Sequence, residues 1–255
     1  MPGIAGTVSM LRRHPVKGFT PEALESVILK AGAHFPCDRM YAVEDGPSGF
    51  NFMKPAHVSK QKFTVLAKIA EVAKVHTKYD DDSGVLIVEA EGYPPFIARL
   101  TEDSGQKAFA SWLSRFLGDL ASGPLRVLTA PQGHRFMDHP QGFVSIINLA
   151  SVRDLEMRTE RAIDPMRFRA NVYVDGWPAW AELEMAGRSL QLGGAKAKGV
   201  KAIVRCSATS VDPWTGEIDS DLPGDLFDHY NHMHCGLYVS VEQSGTLKIG
   251  DTVTA

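Results

Sequence analysis

Residues 201–206 of the chain are Lys-Ala-Ile-Val-Arg-Cys, a run that predicts a β-strand over residues 201–205 ending at Cys206. The guanidinium of Arg205 beside the thiol favours the thiolate, which is the form of cysteine that attacks electrophiles or binds metals. A free cysteine is more often a small buried apolar residue, however. Cys206 is therefore a candidate site residue that needs support from the rest of the chain.

Short strands separated by turns lie on both sides of this segment. In the second half we expect strands over residues 144–149 and 171–174, and a C-terminal hairpin formed by residues 237–241 and 247–253. Residues 1–100 also consist mostly of strands and turns. Regularly spaced short strands predict a β-barrel or a β-sandwich.

The clearest helix is predicted over residues 106–120, where large apolar residues recur at the spacing of one helical face. We expect this helix to join two domains, one of residues 1–105 and one of residues 106–255. A short second helix is expected over residues 152–158, with Ser151 as its N-cap.

The composition excludes several classes of function. The 255 residues include 44% hydrophobic and 22% charged residues and carry a net charge of −3, which gives no general attraction for nucleic acid. We expect no membrane span, because no run of about 18–20 apolar residues occurs. The three cysteines are odd in number and widely spaced, which argues against a disulfide framework and is typical of the cytoplasm. The sequence motifs of serine hydrolases and of nucleotide-binding loops are missing.

Three basic residues stand in turn-like contexts. Lys17 follows His-Pro-Val, Arg39 follows Cys-Asp, and Arg169 follows a phenylalanine. Arginine presents a rigid fork that suits phosphate, and lysine acts as a point charge. Each residue alone is more often a surface charge or half of an ion pair. Together with the thiol they could form an anion-binding pocket.

A group of three histidines and a cysteine offers a competing interpretation. His229, His232, His234 and Cys235 fall within seven residues and could bind a metal. Their spacing is not that of a zinc finger, and neighbouring residues of a strand point to opposite faces. Loop histidines without a ligand are the commoner explanation, and contacts with a substrate in a pocket are a third.

Six short motifs follow one another along nearly the whole chain. They are Leu11 to Gly18; Gly32 with Asp38-Arg39; residues 144–155 with Ala150-Ser151; Phe168 to Asn171; Arg205-Cys206 with Thr209 and Asp212 to Gly216; and Gly236 to Val241 with Gly245 and Gly250-Asp251. In this order they resemble the motifs of the MOSC family, which includes the C-terminal domain of molybdenum-cofactor sulfurases and the amidoxime-reducing molybdoenzymes. The chain differs from the family's motifs at His14, Gly18 and Ala170, where the family has Tyr, Ser and Pro.

The resemblance implies a mostly β (α+β) fold, in which a MOSC β-barrel packs with an N-terminal β-barrel-like domain and a few short helices. It also implies a molybdenum cofactor, a molybdopterin whose dithiolene sulfurs bind the metal, in a cleft between the two domains. Cys206 would be the protein's metal ligand and the catalytic residue. The further residues that would contact the cofactor are Lys17, Arg39, Ser151, Arg169, Asn171 and Arg205.

The activity implied by the resemblance is the reduction of small N-hydroxylated substrates, such as amidoximes and hydroxylamines. Electrons would come from a separate cytochrome, ferredoxin or flavoprotein, because the chain has no recognisable ferredoxin module. The alternative is a non-catalytic carrier of the cofactor or of persulfide sulfur on Cys206. A small-molecule-binding barrel without molybdenum is a third interpretation.

Overall fold

The computed structural model describes residues 3–255 as fifteen strands and three α-helices joined by turns and short 3-10 helices. In chain order the elements are β1 (Ala5–Arg13), β2 (Glu22–Leu24), β3 (Ser26–Leu29), β4 (Tyr41–Asp45), β5 (His76–Asp80), β6 (Val85–Glu89), β7 (Phe96–Arg99), α1 (Asp103–Leu117), β8 (Leu125–Thr129), β9 (Val144–Asn148), α2 (Leu149–Thr159), β10 (Val172–Asp175), β11 (Ser189–Leu192), β12 (Ala195–Val204), α3 (Leu222–Tyr230), β13 (His234–Gln243), β14 (Gly245–Lys248) and β15 (Thr252–Thr254).

Seven strands close into a barrel in the order β10-β9-β13-β12-β11-β15-β1, and β1 returns to pair with β10. All of these pairings are antiparallel except that of β9 with β10, which is parallel. The barrel therefore needs the first strand of the chain as well as strands from its second half. Alternating residues of β11, β12 and β13 are buried, as expected where one face of each strand packs into the interior.

Strands β4 to β8 build a second layer around α1, whereas β2 pairs with β1 and the β3–β14 pair packs against the barrel. Strands β4 and β8 form one antiparallel pair, and β5, β6 and β7 form a three-stranded sheet. Helix α1 buries Phe109, Trp112, Leu113 and Leu117 in a hydrophobic cluster that also contains residues from β4 to β8. The predicted helical face is thus confirmed, although the helix begins at Asp103 and its α-helical part ends before Gly118.

Two sequence predictions are wrong in detail. The C-terminal hairpin does not form, because β14 pairs with β3 while β15 pairs with β1 and β11. Helix α2 is capped by Asn148, whose side chain accepts a hydrogen bond from the backbone N–H of Ala150 at 3.1 Å. Ser151 lies inside the first turn of that helix.

The predicted fold class, mostly β with a barrel and a few short helices, is confirmed. None of the helices in the described part of the chain is long and apolar enough to cross a membrane. The division into residues 1–105 and 106–255 stays a prediction, and β1 from the first segment is an integral barrel strand.

Candidate functional site

A cavity of about 300 Å³ lies where the barrel meets the N-terminal layer. Its wall combines side chains from both halves of the chain, and we call it the Cys206 cavity. It contains seven lysine or arginine residues but one carboxylate, so its lining is strongly basic. Its charged and polar lining residues are Lys17, Arg39, Lys60, Asp138, His139, Ser145, Arg167, Arg169, Lys201, Arg205, Cys206, Thr209 and Tyr238.

Cys206 follows the end of β12 and is half-buried. Its carbonyl oxygen accepts hydrogen bonds from the backbone N–H and the hydroxyl of Thr209, at 3.0 and 2.9 Å. These bonds hold the short 3-10 helix Ser207–Ser210 against the strand end and fix the backbone from which the thiol projects. Sulfur and basic side chains therefore share one cavity.

Lys60 is a basic residue of the cavity that interacts with the side chain of Cys206. Burial lowers the pKa of Lys60, but its interactions with Cys206 and with the carboxylate of Asp138 outweigh burial and raise that pKa above its ordinary value. The lysine consequently keeps its charge beside Cys206 inside the cavity.

Arg205 is held rigidly, with 9% of its surface exposed. Its Nε donates to the carbonyl of Cys235 at 2.7 Å and its Nη1 to the carbonyl of Phe168 at 2.9 Å, while the guanidinium lies over the Phe168 ring. Its buried Nη2 has no hydrogen-bond partner among residues 3–255. A buried donor without a partner costs free energy. A ligand that placed an acceptor atom beside Nη2 would remove this cost.

A bulge in β13 lies at the contact between Arg205 and the carbonyl of Cys235. Val204 pairs with His234 and Ala202 with Leu237, so β13 contains one residue more than β12 over this stretch. Gly236 occupies the bulge with φ +88, and a Cβ there would lie 2.9 Å from Arg205 Nη2. The close approach of the guanidinium therefore requires glycine.

Glu182 lies on the opposite side of the same peptide group. The carboxylate is fully buried and accepts from the Gly236 N–H at 3.4 Å, while the Cys235 carbonyl accepts from Arg205. The Cys235–Gly236 peptide thus connects the carboxyl group of Glu182 to the guanidinium of Arg205. Burial raises the pKa of Glu182 despite hydrogen bonds from Asn148 and Ser151.

Arg39 and Arg169 meet at the junction of the two layers. Both have left-handed backbone conformations, with φ of 48 and 50. Arg39 forms an ion pair with the buried carboxylate of Asp38, and its Nη2 donates to the carbonyl of Arg169 at 2.9 Å. Arg169 donates to the carbonyl of Phe19 at 2.6 Å, and burial together with the charge of Arg39 lowers its pKa to about 10. Within residues 3–255 this guanidinium has no carboxylate partner, so it can accept an anionic ligand.

Lys17 is 3% exposed and reaches across the cavity wall. Its ammonium donates to the Phe136 carbonyl at 2.9 Å and to the carboxylate of Asp138. Burial lowers the pKa of Lys17 although Asp138 opposes that shift. Lys17 therefore anchors residues 136–138 and is less available to a ligand than Arg169 or Arg205.

Ser151 and Asn171 are placed differently from the expectation that they contact a cofactor. Neither lines the cavity. The Ser151 hydroxyl donates to Glu182 at 2.9 Å, and the Asn171 carbonyl oxygen accepts from the hydroxyl of Ser145 at 2.9 Å. Both are fully buried behind the wall, where Ser151 supports Glu182 and Asn171 orients Ser145, which does line the cavity.

The histidine group stands apart from this site. His229, His232 and His234 are not among the residues that line the Cys206 cavity. His232 stacks on Tyr230, and its Nδ1 accepts from the backbone N–H of His234 at 3.1 Å. Across the described residues, no group of three or more histidines, cysteines or carboxylates is arranged to hold a metal ion.

Sequence reasoning did not identify Lys60, Lys201 or Tyr238 as site residues. Lys201 could have been found, because Lys201, Ile203 and Arg205 alternate along the strand predicted over residues 201–205, and all three line the cavity. Lys60 gave no such signal, since it belongs to a 3-10 turn that only the tertiary fold brings beside Cys206.

The arrangement is suited to a large anionic ligand with a soft metal or electrophilic centre. Guanidinium and ammonium groups bind phosphate, and a thiolate binds soft metals. A ligand in this cavity would contact both layers, because both contribute to the cavity wall.

Two family models match separate parts of the chain. The MOSC N-terminal beta barrel domain matches residues 5–120, and the MOSC domain matches residues 133–254. The two matches leave only a short connection and the termini unassigned.

Curated relatives match about two fifths of the chain. Mitochondrial amidoxime reducing component 2 of Bos taurus is 34% identical over 122 residues, which are 43% of this chain and 36% of the relative. Mitochondrial amidoxime-reducing component 1 of Homo sapiens is 31% identical over 120 residues, covering 42% and 35%. The matched part is thus little more than a third of these relatives' length. Among solved structures, the YUAD protein from Bacillus subtilis covers 99% of this chain and is itself 96% covered, at 10% identity and a TM-score of 0.46.

Proposed function

The chain belongs to the MOSC family, with a MOSC domain preceded by the MOSC N-terminal beta barrel domain, and on that premise we propose that it is a molybdenum-cofactor-binding oxidoreductase that reduces N-hydroxylated compounds. The observation that supports this most is the position of Cys206 in a basic cavity. The names of the curated relatives, amidoxime reducing components, support the choice of substrate class.

The residues of the cavity fit a thiolate-ligated cofactor that bears a phosphate. Cys206 would hold the metal, and Arg169, Arg205 and Arg39 would hold the anionic part. The buried Nη2 of Arg205 and the guanidinium of Arg169, which forms no ion pair within residues 3–255, fit an acceptor that this part of the chain does not supply. When bound, the molybdenum centre supplies the two-electron redox chemistry.

The chain's own residues would bind, orient and shield the reacting groups. Lys60, which keeps its charge beside Cys206, would stabilise a thiolate bound to the metal. The walls contributed by both layers limit the access of water. Cleavage of an N–O bond with release of water consumes two electrons and two protons, and we propose that the electrons come from a separate cytochrome, ferredoxin or flavoprotein. Cytoplasmic location stays a prediction, since the relatives are named as mitochondrial proteins.

The proposal is tested by expressing the protein in a host that makes the cofactor. Bound molybdenum and pterin are measured per chain, and reduction of benzamidoxime is assayed with an artificial electron donor. We expect about one cofactor per chain and measurable turnover in the wild type. The Cys206→Ala variant should lose activity by about a thousandfold or more while its melting temperature changes little, because a half-buried thiol leaves no large cavity.

The matched control is Cys37→Ala, since Cys37 is also half-buried but does not line the cavity. It should keep both cofactor and activity. Full activity in Cys206→Ala would refute the ligand role, and bound cofactor without turnover in the wild type would favour the carrier. Protein that contains no pterin under these conditions would contradict the molybdenum proposal as a whole.

A further inference from the structure

A second cavity, of about 200 Å³, adjoins the Cys206 cavity and shares Met137 and His139 with it. We call it the histidine cavity, because four histidines and one arginine line it together with apolar residues and no carboxylate. Its polar lining residues are His34, His57, His134, Arg135 and His139.

Arg135 is an arginine without an ion pair within residues 3–255. Its Nη1 donates to the carbonyl of His134 at 2.6 Å, and its buried Nε has no partner in that range. Burial lowers the pKa of Arg135 although Cys37 and Asp38 oppose the shift. The nearby carboxylates are already neutralised, since Asp38 is paired with Arg39 and Asp138 with Lys17. The positive charge of Arg135 is therefore poorly compensated.

Three of the histidines, His34, His134 and His139, contribute donors rather than charge. Burial and, to a smaller extent, the charge of Arg135 together lower the pKa of His34 to about 4. Burial also lowers the pKa of His134 and of His139. These imidazoles are neutral at pH 7, and each presents one N–H donor and one acceptor. Aromatic rings pack beside two of these imidazoles. The ring centroids of His34 and Phe143 are 4.7 Å apart, and those of His134 and Phe50 are 5.3 Å apart.

We propose that the histidine cavity is a binding site for a small organic monocarboxylate, with the Arg135 guanidinium as the group that receives the carboxylate. The planar fork of arginine suits a bidentate carboxylate, and the Nε edge lacks a protein partner. Pro55, Val58, Phe136 and Phe143 provide apolar walls for the organic part of the ligand. Since the two cavities share Met137 and His139, a molecule bound here reaches the edge of the Cys206 cavity.

The test uses benzoate as the probe and the histidine ring signals in NMR spectra as the readout. At pH 7, titration of the wild type should shift the assigned ring signals of His34 and His134 in a saturable way. The bound anion should also raise the pKa of His34, because it stabilises the imidazolium. Benzamide has the same shape without the charge, and its apparent affinity should be at least about tenfold weaker, since a charge-assisted hydrogen bond is lost.

Two variants assign the effect to one cavity. The Arg135→Gln variant should bind benzoate at least about tenfold more weakly than the wild type. The Arg135→Lys variant keeps the charge but loses the planar fork, so its affinity for benzoate should lie between those of Arg135→Gln and the wild type. Lys60→Gln, in the Cys206 cavity, should leave the His34 and His134 shifts unchanged. The proposal is overturned if the wild type shows no saturable shift, if benzamide binds equally well, or if the shifts depend on Lys60 and not on Arg135. Because binding is measured without turnover, none of these results bears on the proposed molybdenum chemistry.

Discussion

Glu182 shows how a single residue can influence the site without lining it. Its carboxylate is fully buried, has no cation partner in the described structure, and is connected to Arg205 through the Cys235–Gly236 peptide. A buried acid of this kind favours its protonated form, and burial raises its pKa above the ordinary value of 4.5. The folded state therefore retains this proton to higher pH than the unfolded chain does.

A Glu182→Gln variant tests this residue by the pH dependence of stability. The stabilisation that protonated Glu182 provides is fully present below about pH 4.5 and is lost as the pH rises through its folded-state pKa. Glutamine is neutral throughout, so it has no such loss. Relative to the wild type, the variant's free energy of unfolding should therefore rise between about pH 4.5 and pH 8, whatever the constant offset from altered hydrogen bonds. Urea denaturation across this range measures the difference, and a pH-independent difference would contradict the raised pKa.

At the scale of elements, the sequence predicted local segments better than long-range pairings. The strands expected over residues 144–149 and 171–174 are β9 and β10, and the apolar face of residues 106–120 is the buried face of α1. Periodicity reports which residues of one segment share a face, and it succeeded there. It does not report which strand pairs with which. The closure of the barrel by β1 and the pairing of β14 with β3 were therefore missed.

The site residues proposed from motifs also fall into two groups, those that line the cavity and those that do not. Lys17, Arg39, Arg169, Arg205 and Cys206 could be proposed from motifs, and all five line one cavity. Ser151 and Asn171 belong to the same motifs but lie behind the wall, because their hydrogen bonds are made to Glu182 and Ser145. A motif shows that a residue type occurs at a position, and it does not distinguish a ligand contact from a supporting contact.

The bulge in β13 supports a prediction at this scale. Gly236→Ala would place a Cβ 2.6 Å from the carbonyl oxygen of Ile146 and 2.9 Å from Arg205 Nη2, at φ +88. Gly250 has the same φ of +88, but nothing lies within 4 Å of its Cβ position. Gly250→Ala therefore measures the backbone strain alone, about 1 kcal/mol. Gly236→Ala should cost at least about 1 kcal/mol more because the bulge must move. Equal losses, measured by chemical denaturation, would show that the Arg205 contact does not constrain the bulge.

For the whole molecule, the distribution of charge is more informative than its sum. The chain carries a net charge of −3, but the junction between the barrel and the N-terminal layer concentrates seven basic side chains around Cys206. Burial of cations is unfavourable unless an anion compensates them. Asp38 and Asp138 pair with Arg39 and Lys17, and Asp212 and Asp219 pair with Arg167, so carboxylates compensate only part of this charge. An anionic ligand at the junction would complete the compensation and would join the two layers.

The most direct test of the cofactor assignment is molybdenum K-edge X-ray absorption of protein from a cofactor-producing host. It reports the number of sulfur atoms bound to the metal. If Cys206 is the protein ligand, the wild type should show the two dithiolene sulfurs and one more, and any cofactor retained by Cys206→Ala should have one sulfur fewer. An identical sulfur shell in wild type and variant, or a wild type that binds no molybdenum, would contradict the account.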